Sequence, residues 1–298
     1  MLILSGGTGT PKLLRGLARV LDPEEITVVV NTAEDIWVSG NLVSPDLDTV
    51  IYTLAGLIDE ERWWGIRGDS FITHTRLSGL GVRERLAIGD ADRAFHILRS
   101  DLIRRGGTLS DATEMMREAL GIRSRIFPMS DDSVSTIIKT PLGDMHFQEF
   151  WVERRGEPEV LGIRFEGIDD ARPSSGFLEA LRKEDTVVIG PSNPVTSIGP
   201  ILSLKGVRDL IAEKTTVAVS PLDGDRPFSG PAARFMRAVG IEPSDEGVIS
   251  ILGGVDHFMV SRSSSYPGRC IRTDTRIDSI DESVRLAKEI VKLAGGGK

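Results

Sequence analysis

The chain has 298 residues, a formal net charge of −8 at pH 7 and a 40% hydrophobic, 27% charged composition, enough for one large domain or two moderate ones around a substantial core. The acidic balance argues against broad nucleic-acid binding, which needs a basic face, yet leaves room for a small phosphorylated ligand held by a cation or a few local basic groups. No apolar run nears the roughly 20 residues of a membrane helix, and glycines interrupt the N-terminal apolar stretch before a secretory signal can form, so the reading is a cytoplasmic protein without membrane contact.

In chain order, LILS reads as a strand, the glycines at 6, 7 and 9 as a loop, and the amphipathic stretch to Val20 as a helix. DPEE then connects to ITVVVNT, a β-branched strand, which completes a β-α-β unit. DTVIYTLAGLI suits a helix beginning near Asp48 or Thr49. Residues 60–130 look mainly helical, with DADRAFHILRSDLIRRG and TLSDATEMMREALGI at helical spacing, and are expected to cap the sheet. STIIKTPLGDMHFQEFWVE reads as a hairpin around PLGD. A second α/β run follows in DTVVIGPSNP, VRDLIAEK, TTVAVSPLDG and PAARFMRAVG, then a strand in DHFMVSR, a helix in DESVRLAKEIVKLAG and a flexible GGGK tail. The alternation predicts a single α/β domain spanning 1–298, doubly wound and Rossmann-like, with a mainly parallel sheet and a helical insertion at about 60–130. Ligands in such sheets gather outside the carboxyl ends of the strands. The lone Cys270 permits no intramolecular disulfide and reads as a core or strand cysteine.

The opening loop fails the strict P-loop pattern, because Pro11-Lys12-Leu13 stands where Gly-Lys-Ser/Thr belongs. It also fails the full dinucleotide fingerprint, since Lys12 occupies the third glycine's place after Gly7 and Gly9. The shared physics survives: Gly6, Gly7, Thr8 and Gly9 can bring backbone N–H groups to an anion at a helix N-terminus, with Lys12 adding charge. A plain structural turn is the competing reading.

NTAEDIWVSGNLVSPDLDT gathers Asn31, Glu34, Asp35, Asp46 and Asp48. Carboxylates at i and i+2 of an extended segment point the same way, so one of Asp46 and Asp48 could bind a divalent cation while the other positions a hydroxyl. Alternatively Asp48 caps a helix and Asp46 makes a turn. Arg93 and His96 share a helical face, and a lone histidine there is more often structural. Trp63 and Trp64 suit packing or an aromatic ligand. In IGPSNPVTSIGPIL, prolines and glycines fix a loop after a buried strand, and Ser192, Asn193, Thr196 and Ser197 offer small hydrogen-bonding groups.

GGTGTPKLL, NTAEDIWVSG, PDLDT, GDADRAFHILR, MSDD, HFQEFWV and GPSNPVTSIGPIL together, from Gly6 to about Gly230, resemble the 2-phospho-L-lactate transferase family of deazaflavin coenzyme F-420 biosynthesis. The resemblance implies transfer of 2-phospho-L-lactate, or phosphoenolpyruvate, from a guanosine diphosphate conjugate (lactyl- or enolpyruvyl-diphosphoguanosine) to the ribityl hydroxyl of the deazaflavin Fo, releasing GMP. It further implies magnesium (Mg2+) as cofactor and leans towards a homodimer. On this resemblance Gly6, Gly7, Thr8, Gly9 and Lys12 contact phosphate, and Pro191, Ser192, Asn193 and Ser197 hold the guanosine half. Asp46 and Asp48 serve the magnesium and the hydroxyl as the catalytic and metal-binding pair, and Asp48, Trp64, Ala87 and Arg93 meet the deazaflavin. At Ala87 the contact is either apolar or supplied with charge by Arg85 or Arg93. Two other classes remain: a nucleotide-sugar-binding regulator of the same superfamily, and an NAD-dependent oxidoreductase, which the missing third glycine and the lack of an acid closing the second strand disfavour.

Overall fold

Short apolar runs with almost no exposed face build the centre of the molecule. The strands are Leu2–Ser5 (β1), Thr27–Val30 (β2), Arg125–Pro128 (β3), Thr186–Ile189 (β4), Thr215–Val219 (β5), His257–Ser261 (β6) and Ile271–Thr273 (β7). They form one sheet in the order β7-β6-β5-β4-β1-β2-β3, and every neighbouring pair is parallel. This is the doubly wound α/β arrangement expected from the alternation of strand and helix patterns. The computed structural model describes residues 1–224, 226–228 and 230–295, so the tail beyond Gly295 lies outside the described residues.

Strand alternation sorts the core into two layers. Leu4, Val29 and Ile189 pack on one face with Phe177, Ile198 and Phe235. Ile3, Val28 and Val188 pack on the other with Leu13, Leu17, Ile51 and Leu286. A parallel sheet covered on both faces demands such continuous apolar strands. Helix α1 (Gly9–Val20) follows β1 directly and packs beside the C-terminal helix Ile280–Gly295. The loop between β1 and α1 is drawn against the loop after β4: a Cβ at Gly9 would stand 1.9 Å from the Pro191 carbonyl oxygen, and Gly7 takes φ +58°. Both positions require glycine.

Between β2 and β3 lie the hairpin Ile36–Val38/Asn41–Val43 and helices α2 (Pro45–Leu54), α3 (Ile72–Gly79), α4 (Asp90–Arg104) and α5 (Leu109–Ala119). The helical block is therefore narrower than 60–130: its first helix starts at Ile72, and Arg125–Pro128 is an edge strand of the main sheet. Four residues carrying a charge and a proline show too little alternation to separate from helical spacing. Asp90, the first residue of α4, caps α3 by accepting from the Ile72 and Thr73 amides (both 2.9 Å), and Asp69, in the loop before α3, caps α4 by accepting from those of Ala91 and Asp92 (both 2.9 Å). Between β3 and β4 the expected hairpin, Ser135–Thr140 with Gly143–His146, gains a third antiparallel strand at Gly162–Glu166.

Candidate active site

A cavity of about 600 Å³ opens at the carboxyl ends of the strands, where the order reverses on either side of β1. There the loops after β1 and β4 meet, at the switch point where doubly wound sheets take their ligands. Gly7, Thr8, Gly9 and Lys12 line one end of it together with Pro191, Ser192, Asn193 and Ser197. Gly6 lies just beneath, outside the lining, and its carbonyl accepts a hydrogen bond from the Ser192 hydroxyl. Ser192 Oγ also lies 2.7 Å from Thr10 Oγ1, which ties the two loops together. The Asn193 side chain accepts from the Val195 amide at 3.0 Å and so caps the π-helical turn Pro194–Ile198. Lys12 Nζ sits 5.1 Å from the Trp63 ring centroid, within cation–π range. Strand β2 ends at Val30 before Asn31, with no acid there for a ribose.

Asp46 and Asp48 do not lie on an extended segment. Pro45 opens α2, so both fall in its first turn, and side chains two apart on a helix diverge by roughly 200°. Asp46 turns to the glycine loop. Burial pushes its carboxyl up to about 6, against hydrogen bonds from the Asn31 side-chain amide (2.9 Å) and the Gly7 backbone. Glu34, also at the cavity, is raised well above the usual carboxylate range by burial and by the neighbouring Asp46 and Asp35. Among the described residues neither Glu34 nor Asp46 takes part in an ion pair.

Asp48 turns the other way, towards α4. Burial pushes its carboxyl up, but the Arg99 guanidinium and His96 outweigh burial and hold it well below its ordinary value. Arg99 is fully buried, donates to Asp48 from both Nη atoms, and reaches the Leu42 carbonyl at 3.1 Å. His96 Nε2 bridges Asp48 and Asp92, and Tyr52 donates its hydroxyl to Asp92 at 2.7 Å. Burial pushes the imidazole down, yet the two carboxylates lift it to about 9. The ligand atoms of Asp48, Asp92 and His96 lie within 4.8 Å of one another, and Arg99 on Asp48 and Tyr52 on Asp92 already engage the two carboxylates. Glu34 and Asp46 also offer oxygens to a hard cation: they have hydrogen-bond partners, but among the described residues no basic side chain pairs with either.

Trp64 and Ala87 also line the cavity, joined by Val43, Leu86 and Ile88. Arg93 does not line the cavity: its guanidinium is spent on Glu84 in a bidentate pair of 2.9 and 2.8 Å. Arg85 points to Glu153 at 2.6 Å. The wall at Ala87 is therefore apolar. Tyr52 and Asp92 were given no role from sequence, although the i, i+4 spacings Asp48–Tyr52 and Asp92–His96 placed each on the same helical face as its neighbour. Glu34 was visible as part of the acidic cluster, without a role.

A parallel, doubly wound sheet with a glycine-rich first turn and a cavity at its switch point defines an α/β protein of the class whose ligand sites lie across the strand ends. The family model described as 2-phospho-L-lactate transferase CofD matches residues 1–292. Proteins named 2-phospho-L-lactate transferase are similar over nearly their full length. That of Methanosarcina mazei is 50% identical, covering 98% of this chain and 99% of its own. That of Methanopyrus kandleri is 49% identical (98% and 96%), and that of Methanocaldococcus jannaschii 43% (98% and 97%). The chain belongs to the 2-phospho-L-lactate transferase CofD family, and it is a transferase. The fold is also that of a UPF0052-family protein from Bacillus halodurans, whose crystal structure is 20% identical with a TM-score of 0.57, covering 87% of this chain and 79% of that one. Among the described residues no helix is long and apolar enough to cross a membrane.

Proposed function

We propose that the enzyme transfers a 2-phospholactyl or enolpyruvyl phosphate group from its guanosine diphosphate conjugate to the ribityl hydroxyl of Fo, releasing GMP, in coenzyme F-420 biosynthesis. One observation carries this reading: a single cavity is lined by a glycine turn at a helix N-terminus, by an apolar and aromatic wall, and by Asp46 and Asp48 of one helical turn.

The diphosphate lies on the N-terminus of α1, where backbone N–H groups and Lys12 face it, and the loop 191–197 holds the guanosine half. Glu34 and Asp46 would hold the magnesium ion; when bound it neutralises the diphosphate and its leaving oxygen. The ring system of Fo rests against Trp64 and the wall at Ala87, and its ribityl chain runs towards Asp48. Asp48, clamped by Arg99 and His96, accepts a hydrogen bond from the attacking hydroxyl and aims it at phosphorus. A weakly basic carboxylate suffices, since a loose phosphoryl-type transition state asks chiefly for positioning. The hydroxyl oxygen bonds to phosphorus, the bond from phosphorus to the GMP oxygen breaks, and the hydroxyl proton passes to Asp48.

Incubation with Fo and each guanylylated donor, followed by mass spectrometry, tests this. The expected result is a deazaflavin heavier by one phospholactyl or phosphoenolpyruvyl group, with equimolar GMP. Fo recovered unchanged with both donors would overturn it.

A further inference from the structure

The apolar wall at Ala87 belongs to neither main core layer. Val38, Val43 and Ile88 form a separate small cluster, with Ile36 and Leu86 partly buried against it. Residues 80–89 carry no helix or strand, and the hairpin opposite has only three residues per strand. Such pieces bury too little apolar surface to hold one geometry by packing alone.

A carboxylate beneath the wall supplies what packing does not. The Glu84 side chain is fully buried and is met by four donors from three separate elements. Arg93 of α4 binds both its oxygens at 2.9 and 2.8 Å, His74 Nδ1 of α3 lies at 2.8 Å, and Ser39 Oγ donates from the hairpin turn at 2.6 Å. Ser39 takes φ +48° and Gly40 φ +76°, the left-handed pair of a two-residue turn that matches strand twist. Glu84 thus ties the hairpin tip, α3 and α4 to its own loop two residues before Leu86, and Leu86, Ala87 and Ile88 line the cavity. From the same helix α4, Asp92 and His96 line the same cavity.

We infer that Glu84 and Arg93 are positioning residues for the acceptor: their buried bidentate pair holds the Leu86–Ile88 wall at the spacing that admits a flat aromatic ring system. The inference rests on the proposed binding of Fo at this wall. Neither residue touches the ligand, and the diphosphate end of the cavity is built from other elements, so the device acts on one substrate alone.

Steady-state kinetics of Glu84→Gln, Arg93→Lys and the double variant, with folding checked by calorimetry, test it. The expected result is a KM for Fo raised about tenfold in each single variant, kcat and the KM for the guanylylated donor changed less than twofold, and a double variant no worse than either single. Ser39→Ala, which removes one of the four donors, keeps the test open should the others unfold, and is expected to raise the KM for Fo two- to threefold. An unchanged KM for Fo in folded variants, or equal rises for both substrates, would overturn the inference. A wild-type enzyme that leaves Fo unmodified would instead overturn the acceptor assignment, and the inference with it.

Discussion

His96 Nε2 stands 3.1 Å from Asp48 Oδ2, so a buried imidazole on α4 holds a carboxylate of α2 across 48 residues of sequence. Its second bond, 3.1 Å to Asp92 Oδ1, places it between two negative charges. Those charges lift the imidazole from 6.5 to about 9 in spite of burial, so the folded protein binds this proton more tightly than the unfolded chain does. The stabilisation is complete below pH 6.5 and is lost as pH climbs through about 9. His96→Leu is expected to cost about 3 kcal/mol at pH 6, the scale of breaking a buried ion pair, and much less at pH 10. Urea unfolding at both pH values checks this, and a deficit independent of pH would contradict it.

Asp48→Asn keeps the shape of the side chain and removes the charge that both Arg99 and His96 answer. Turnover is expected to fall at least about tenfold, the scale for losing a positioned proton acceptor, and the fold is expected to weaken because Arg99 stays buried without its partner. Single-turnover transfer and thermal unfolding read the two effects separately. A folded variant with full activity would remove Asp48 from the chemistry.

Asp46 predicts the opposite sign. Its carboxyl is raised from 3.8 to about 6 by burial, so the preference of the fold for the protonated form is present below pH 3.8 and is lost as pH rises through about 6. At pH 8, without a divalent ion, Asp46→Asn is expected to raise stability by on the order of 1–2 kcal/mol while abolishing most turnover. Magnesium is expected to raise the melting temperature of the wild type and not of the variant, and chelation to silence the wild type reversibly. Unchanged turnover in chelator would take the ion out of the mechanism.

The reach of sequence reasoning follows from what is local. LILS and TVVV announce β1 and β2 because every side chain in them is buried, and DTVVI and TTVAV do the same for β4 and β5. The edge strand Arg125–Pro128 and the hairpin Ile36–Val38/Asn41–Val43 escaped because three or four residues cannot establish a period. In PDLDT the turn-like composition concealed a helix that begins at Pro45, and with it the divergence of Asp46 from Asp48. The glycine loop was legible as the tight turn that opens α1, whereas its contact with Pro191 and the meeting of His96 with Asp48 depend on packing across the chain. Arg93 drew notice as a basic group beside the cavity, but Glu84, nine residues earlier, turned its charge inward.

The contact between the loops after β1 and β4 supplies the last prediction. A methyl group at Gly9 would lie 1.9 Å from the Pro191 carbonyl oxygen and 2.8 Å from its carbon. Both are backbone atoms, which no rotamer change can move aside, so Gly9→Ala must separate the loop after β1 from the loop after β4. The expected cost is about 2 kcal/mol or more of stability, with GDP binding weakened more than tenfold because the N–H groups at the start of α1 no longer converge. Gly56→Ala is the control: it has φ +71° and no heavy atom within 4 Å of the added carbon, so it should cost about 1 kcal/mol through backbone strain and leave the nucleotide site alone. Isothermal titration with GDP on both variants decides the matter. Equal affinity in the two would mean that the loops after β1 and β4 do not jointly form the phosphate site.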